Sequence, residues 1–221
     1  MLHSYFADNT DKRSVASHLR KQRFQLFANM LDSMPPVVNV LDVGGTQGYW
    51  EMVAKGSSLM DKVQVTLLNL QAMEATLPNF TSLVGDARAM PQFIDKQFDF
   101  VFSNSTIEHV RNFSDQKKIA DEVIRVGKHY YVQTPNRYFP IEPHFVFPFF
   151  QFLPISIRVW LVQNYKLGWF PKITDYQKAL TEVTGIRLMT KTEVDKLFPD
   201  AAIYEEKYFG LVKSFVAYTR D

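Results

Sequence analysis

Three polar segments of this chain have residue types and spacings that could do chemistry. The first is Leu41–Gly48, which reads LDVGGTQG and places an acid before closely spaced glycines. Glycines let a backbone turn sharply and approach a ligand, and a following helix would present free N–H groups to it. A plain turn between a strand and a helix is the alternative for this loop.

The other two segments supply an acid and candidate proton acceptors. Gly85-Asp86-Ala87 is the second, and the third runs from Ser103 and Asn104 to the string Ile107-Glu108-His109-Val110. The pKa of histidine lies near neutrality, which suits a base that removes a proton from a hydroxyl. We therefore take His109 as the first candidate base and His144 as the second. Each could instead be a structural histidine that donates to a backbone carbonyl.

Composition excludes several other chemistries. The 221 residues include no cysteine, so disulfides, thiolate catalysis and Cys-ligated metals are impossible. Lys and Arg number 25 against 23 Asp and Glu, so there is no basic excess of the kind that a nucleic-acid binder would carry. No group of Asp, Glu and His has metal-ligand spacing along the chain, so we predict no metal, and a site assembled from scattered residues is the alternative. The charged start lacks an apolar signal-peptide core, which predicts a cytoplasmic protein.

The elements that must position these residues alternate between strands and helices. Apolar, β-branched runs predict strands at 37–43, 63–70, 80–87, 98–105 and 129–136, and helices at 12–33, 47–55, 115–125 and 191–201. Two further strands should form a hairpin around Gly210. The prediction is a doubly wound, mostly parallel, seven-stranded Rossmann-like α/β sheet with a C-terminal antiparallel hairpin. Residues 1–221 would form one domain, with 1–36 as an N-terminal helical cover.

Residues 138–176 interrupt the alternation. This window contains 12 aromatic residues and five prolines. We expect an aromatic, helical lid insertion that covers a substrate cleft. The alternatives are contact of 145–162 with a membrane surface, contact with a second subunit, and a small satellite core.

In combination, these strings resemble the class I S-adenosylmethionine (SAM) dependent methyltransferases of the small-molecule type. The first loop is similar to their motif I: Asp42, Gly44 and Gly48 match, while Thr46 replaces the middle glycine. Gly85-Asp86-Ala87 looks like the adenine-binding turn, and residues 98–110 look like motif IV. The resemblance covers about residues 37–136.

The resemblance implies SAM as cofactor and a role for each matching residue. The backbone of Gly44 and Gly45 would approach the amino-acid end of SAM, and Asp42 would accept from its ammonium group or orient the loop. Asn69 stands where the family usually has an acid for the ribose, and Leu70 would pack on the adenine. The remaining implied contacts are Asp86 with the adenine amine, the Ala87 N–H with a ring nitrogen, and Ser103 and Asn104 beside the methyl donor. Asp86 could alternatively cap a helix, and Asn104 could be a turn residue.

The resulting functional prediction is transfer of a methyl group from SAM to a small, apolar or aromatic acceptor, at oxygen. A nicotinamide dehydrogenase fits less well, because Asn69 is not the acid that its fingerprint requires. A nucleic-acid substrate is also not expected, because Asn104–Ile107 lacks the motif of amino-group DNA methylases. The alternative is a catalytically silent SAM-binding or partner-binding protein on the same fold.

Overall fold

The computed structural model describes residues 15–35, 37–54 and 57–220, and its main feature is a seven-stranded sheet. The strand order is β3-β2-β1-β4-β5-β9-β8. The strands of this sheet are β1 (Val38–Val43), β2 (Val63–Asn69), β3 (Phe80–Val84), β4 (Phe98–Asn104), β5 (Gly127–Pro135), β8 (Ala201–Tyr208) and β9 (Leu211–Thr219). Strands β1 to β5 are parallel, and β9 pairs antiparallel with both β5 and β8. The predicted fold class and the C-terminal hairpin are therefore confirmed.

Strand β1 occupies the point where the strand order reverses. Asp42 of β1 is aligned with Leu67 of β2 on one side and with Phe102 of β4 on the other. Ligands of open α/β sheets bind at such a switch point, beyond the carboxyl ends of the strands. The topology thus gathers at one edge the loops that follow β1, β2, β3 and β4.

The described part of the chain contains seven α-helices. They are α1 (Val15–Asp32), α2 (Gln47–Val53), α3 (Leu59–Lys62), α4 (Phe113–Val126), α5 (Ile155–Asn164), α6 (Tyr176–Gly185) and α7 (Lys191–Leu197). The start of the predicted helix 12–33, and most of the 1–36 segment before α1, lie outside the described residues. Helices α3 and α6 were not predicted, since the first is short and the second follows a proline-rich stretch.

Two apolar clusters occupy the two faces of the sheet. One contains α1 and is aromatic, with Phe27, Trp50, Phe100, Phe102 and Tyr131 all buried. The other packs α4 and α7 against the opposite face through residues such as Ile119 and Val194. Burial on both faces explains why the central strands consist of nearly continuous apolar runs.

The insertion after β5 differs in part from the prediction. It begins with a short hairpin of β6 (Ile141–Glu142) and β7 (Phe147–Pro148), continues through a 3₁₀ turn at Phe150–Phe152 and ends in α5. Its buried apolar residues form a third cluster together with α6, as in the satellite-core alternative. The prediction of a helical insertion is therefore wrong for the β6–β7 hairpin, whereas α5 is a helix as predicted. No helix in the described ranges is both long enough and apolar enough to cross a membrane.

Candidate active site

The loop after β1 requires glycine at two positions. Gly44 has a φ of +79°, and a Cβ there would lie 2.3 Å from Thr106 Oγ1. A Cβ on Gly45 would lie 1.7 Å from Asp42 Oδ2. Both positions therefore exclude a side chain, and the loop backbone is packed tightly from below by Asp42 and from the side by Thr106. No sequence motif pointed to Thr106.

The departure from motif I at Thr46 has a local structural reason. Thr46 is the N-cap of α2, and its Oγ1 accepts a hydrogen bond of 3.2 Å from the Tyr49 backbone N–H. A threonine oxygen thus satisfies a free donor of the helix. Gly48, in the first turn of α2, faces open space, since a Cβ there would meet no atom within 4 Å.

Asp42 lies beneath the loop rather than on its surface. Its carboxyl is fully buried, Oδ2 accepts from Trp50 Nε1 at 2.7 Å, and Oδ1 has no hydrogen-bond partner in the structure. Burial raises the pKa of Asp42 to about 7, although the Trp50 hydrogen bond acts in the opposite direction. The orienting role is the one that this geometry favours.

Asn69 and Leu70 follow β2 at the same sheet edge. The Asn69 side-chain N–H donates to the Gly45 carbonyl at 2.9 Å, so this amide holds the glycine loop. The Leu70 side chain is 73% exposed, which leaves an apolar surface beside the loop.

The turn after β3 is organised by an ion pair that sequence reasoning missed. Asp86 Oδ2 lies 2.6 Å from Arg88 Nη2, and Oδ1 accepts from the Arg88 backbone N–H at 2.9 Å. The hydrogen bonds of Arg88 lower the pKa of Asp86. The residues after Asp86 form a turn closed by Ala89 N–H on the Asp86 carbonyl at 3.0 Å, so the helix-capping alternative is wrong. Ala87 lies within this turn.

The end of β4 carries buried polar groups. Ser103 is buried and its Oγ donates to the Val43 carbonyl at 3.3 Å, while Asn104 is the last strand residue rather than a turn residue. The Asn104 side-chain oxygen is buried without a partner. Ser105 then adopts a φ of +55°, a sparsely populated conformation that often marks functional sites.

The two candidate histidines meet, although they come from different segments. His109 ends the 3₁₀ turn Ile107–His109 after β4, and His144 follows β6 in the insertion. Their ring centroids lie 4.9 Å apart at an angle of 88°. His144 Nδ1 is 2.7 Å from Glu142 Oε1, and Glu142 Oε2 accepts from the His144 backbone N–H at 2.8 Å. A buried carboxylate thus fixes the His144 ring.

Glu108 completes this group. Its side chain is fully buried, Oε2 accepts from Thr134 Oγ1 at 3.3 Å, and Oε1 has no hydrogen-bond partner and lies 3.9 Å from His144 Nε2. Burial raises the pKa of Glu108 to about 7, against the opposing effect of His144. Asn112, not Glu108, caps the helix that follows.

The two rings differ in their electrostatics. The His109 side chain is exposed at one edge, yet partial loss of water and the charge of His144 lower its pKa to about 4. For His144, burial acts to lower the pKa, but Glu142 and Glu108 outweigh it, so the pKa is raised. One carboxylate oxygen and one nitrogen from each ring lie within 4.8 Å of one another, although the three residues lack metal-ligand spacing along the chain.

These features define an α/β domain with glycine-containing and polar loops at the switch point of its sheet. The family model described as a methyltransferase domain matches residues 41–130. An uncharacterized protein of Mycobacterium tuberculosis is 37% identical over 65 residues, which are 29% of this chain and 22% of that protein. The bifunctional methionine biosynthesis protein MetXA/MetW of Rhodopirellula baltica is 38% identical over 58 residues, or 26% of this chain and 9% of that protein. The chain therefore spans only a small part of these relatives.

Solved structures agree with the fold. A SAM-dependent methyltransferase from Aquifex aeolicus superposes with a TM-score of 0.50 and 16% identity, covering 91% of each chain. The CurJ carbon methyltransferase superposes with a TM-score of 0.59 and 9% identity over all of this chain and 58% of that one. Residues 41–130 are thus similar to methyltransferase domains, and the cofactor that this similarity implies is SAM.

Proposed function

We propose that this protein transfers a methyl group from SAM to the oxygen of a small, apolar or aromatic acceptor. One observation carries the proposal: hydrogen bonds link the loops after four adjacent parallel strands. Gly44 N–H donates to the Leu68 carbonyl and Gly85 N–H donates to the Asn69 carbonyl. The Asn69 amide donates to the Gly45 carbonyl, and Thr106 Oγ1 donates to the Val43 carbonyl at 3.0 Å.

These linked loops would bind SAM in the order in which they lie along the edge. The methionine end would lie against Gly44 and Gly45, above Asp42. The Asn69 side-chain oxygen, Oδ1, would accept from a ribose hydroxyl, and the exposed Leu70 would cover one adenine face. The Asp86 carboxylate would accept from the adenine amine with its remaining lone pairs, while the Ala87 N–H donates to a ring nitrogen. Asn104 would then lie beside the methyl group.

Methyl transfer needs the acceptor oxygen in line with the sulfonium methyl group. The oxygen lone pair forms the new C–O bond, the C–S bond breaks, and its electron pair stays on sulfur to leave a neutral thioether. The hydroxyl proton must leave the acceptor. We propose that His109 and His144 lie on the side of the methyl group from which the acceptor approaches. The group of Glu108, His109 and His144 begins two residues after Thr106, which packs against Gly44. The aromatic insertion that contributes His144 would surround an apolar acceptor.

Two measurements test this proposal. Calorimetric titration with SAM should show one site, and Asp86→Ala should weaken binding by about 1–2 kcal/mol through loss of a charge-assisted hydrogen bond. Arg88→Ala is the matched control, because it removes the ion-pair partner but keeps the adenine acceptor. In turnover with a panel of hydroxylated aromatic acceptors, His109→Ala should lower the rate by about 10²–10⁴-fold and leave SAM affinity nearly unchanged. Unchanged SAM affinity in folded Asp86→Ala would contradict the adenine assignment.

A catalytically silent SAM-binding or partner-binding protein on the same fold is the second candidate, and one observation favours its partner-binding form. Asn69 and Asp86, which would contact the ribose and the adenine, are both engaged in internal contacts with Gly45 and Arg88. The partner-binding form predicts neither SAM binding nor turnover, whereas the SAM-binding form predicts binding without turnover of any acceptor in the panel.

Contact of 145–162 with a membrane surface is a separate proposal. Phe149, Ile157 and Trp160 expose 56%, 44% and 53% of their surfaces. Sedimentation with anionic phospholipid vesicles tests it: the parent protein should co-sediment and Trp160→Ser should do so less. Equal sedimentation of the two proteins would contradict this contact.

A further inference from the structure

Two loops that are distant in sequence bring together a donor set for a metal. Glu108 and His109 come from the segment after β4, and His144 comes from the insertion after β5. We propose that Glu108, His109 and His144 bind a divalent transition-metal ion of the zinc type. Binding of the ion stands independently of methyl transfer, whereas the role given to it below rests on the proposed function.

An unsatisfied oxygen points into this group. Glu108 is fully buried, and its Oε1 is without a hydrogen-bond partner in the structure. A buried carboxylate oxygen with no donor carries the full cost of its lost hydration, which a bound cation would offset. The other oxygen accepts from Thr134 Oγ1, so the carboxylate is held with Oε1 directed towards His144.

The buried charges are also unbalanced. Glu108 and Glu142 are 0% and 2% exposed, and within the described ranges neither forms a salt bridge with a lysine or an arginine. Arg158 borders the same cavity as Glu142, but its Nη1 donates to the Val183 carbonyl at 3.3 Å. Arg158 acts on Glu142 only beyond salt-bridge distance, so within the described ranges His144 is the one cationic side chain in contact with the two carboxylates. A divalent cation would neutralise the group.

The distances require only modest adjustment. Ligand distances of about 2.0–2.2 Å in a tetrahedral zinc site place donor atoms about 3.3 Å apart. The observed separation of Glu108 Oε1 and His144 Nε2 is 3.9 Å, and all three donors lie within 4.8 Å. The His109 side chain is exposed and can rotate towards the other two.

Glu142 would orient one of the metal ligands by a hydrogen bond. Its Oε1 lies 2.7 Å from His144 Nδ1, which leaves Nε2 of the same ring directed towards Glu108. A carboxylate that accepts from the second nitrogen of a ligating histidine is the usual arrangement in such sites. Two imidazoles and one carboxylate favour zinc-type ions over Mg²⁺, which prefers oxygen ligands.

Three protein ligands would leave one coordination position open. If the proposed methyl transfer holds, the acceptor hydroxyl would occupy it, and the ion would lower the pKa of that hydroxyl so that its proton leaves to water. The oxygen lone pair would then attack the methyl group while the C–S electron pair remains on sulfur.

The test is calorimetric titration of chelator-treated full-length protein with ZnCl₂ in the absence of SAM. We expect one Zn²⁺ per chain and at least tenfold weaker binding in Glu108→Gln and in His109→Gln. Glu142→Gln should weaken binding by about 10–100-fold through loss of the outer partner. The control is His129→Gln, a histidine that stacks on Phe100 at 5.9 Å and should leave Zn²⁺ affinity unchanged.

Thermal unfolding of each metal-free variant checks that it is folded. If Glu108→Gln is unstable, His109→Gln still tests the site, because His109 is exposed and its replacement should not unfold the protein. Absence of Zn²⁺ binding overturns the proposal, as does equal binding by the parent, His109→Gln and folded Glu108→Gln. A parallel SAM titration separates the two hypotheses. SAM binding without Zn²⁺ binding overturns the metal site alone, whereas the reverse outcome overturns the proposed function and leaves the metal site standing.

Discussion

The Thr106 hydroxyl occupies the place that a side chain on Gly44 would need. A Cβ on Gly44 would lie 2.3 Å from Thr106 Oγ1, and this hydroxyl is held by the Val43 carbonyl at 3.0 Å. The loop after β1 and the segment after β4 are therefore packed against each other with no room for one extra carbon. Thr106, which precedes Glu108 and His109 by two and three residues, thus joins their segment to the loop after β1.

The first prediction compares two glycines of this loop. Gly44→Ala should lower the free energy of unfolding by about 2 kcal/mol or more, because it combines a left-handed φ with overpacking. Gly48→Ala should be neutral or stabilising by up to about 1 kcal/mol, since the position is helical and faces open space. Urea denaturation of both variants measures this. If SAM lies over Gly48, Gly48→Ala should bind SAM more weakly while its stability is unchanged. Equal losses of stability in Gly44→Ala and Gly48→Ala would contradict the packing of Thr106 against Gly44.

The second prediction concerns pH and Asp42. Its folded pKa of about 7 lies above the model-peptide value of 3.8, because the carboxyl is buried. The folded state therefore binds the proton more tightly, so stability falls as pH rises from about 4 to about 7, by at most roughly 4 kcal/mol.

Asp42→Asn keeps an acceptor for Trp50 and removes this titration. Its free energy of unfolding should depend less on pH across that window than that of the parent protein, and the variant should be the more stable of the two at pH 8. Parallel slopes for the two proteins would contradict the buried position of the carboxyl.

The third prediction reverses what the family resemblance suggests for Asn69. An acid at this position would be expected to tighten ribose binding, but the Asn69 N–H donates to the Gly45 carbonyl at 2.9 Å. A carboxylate in Asn69→Asp would face that carbonyl without a proton to donate. We expect stability to fall by about 1–3 kcal/mol and SAM affinity to fall with it. Tighter SAM binding at unchanged melting temperature would show that the side chain turns towards the ribose.

The fourth prediction concerns the buried ion pair between α1 and β8. Arg23 Nη1 lies 2.8 Å from Glu206 Oε2, and both side chains are buried. Removing one partner leaves an uncompensated charge, so Glu206→Gln should destabilise the protein by about 3–5 kcal/mol.

The exposed pair of Lys117 and Asp121, 2.7 Å apart, provides the control for this experiment. Asp121→Asn should change stability by no more than about 0.5 kcal/mol. Chemical denaturation of the two variants compares them directly, and similar small effects would show that α1 is not anchored by Arg23.

Local patterns were sufficient for the framework of this protein. The five parallel strands were predictable because each is rich in apolar residues and is followed by glycine or a polar residue. The strand–glycine–helix pattern around Gly44 predicted the edge that carries the glycine loop. The hairpin around Gly210 followed from two alternating runs. Helix α6 and the hairpin of β6 and β7 were missed because prolines and aromatics obscure any period in that stretch.

Only the tertiary structure decided how the polar groups meet. Periodicity along the chain cannot show that the insertion brings Glu142 and His144 onto Glu108 and His109, because this depends on packing between a third apolar cluster and the ends of β4 and β5. It also cannot show which atom of Asn69 meets Gly45, or that Arg88 turns back onto Asp86. The sequence determined the sheet and the edge that carries the glycine loop, since these follow from hydrophobic patterning and chain direction. Charge balance, hydrogen-bond direction and the metal donor set depend on distances between segments, which exist only in the folded chain.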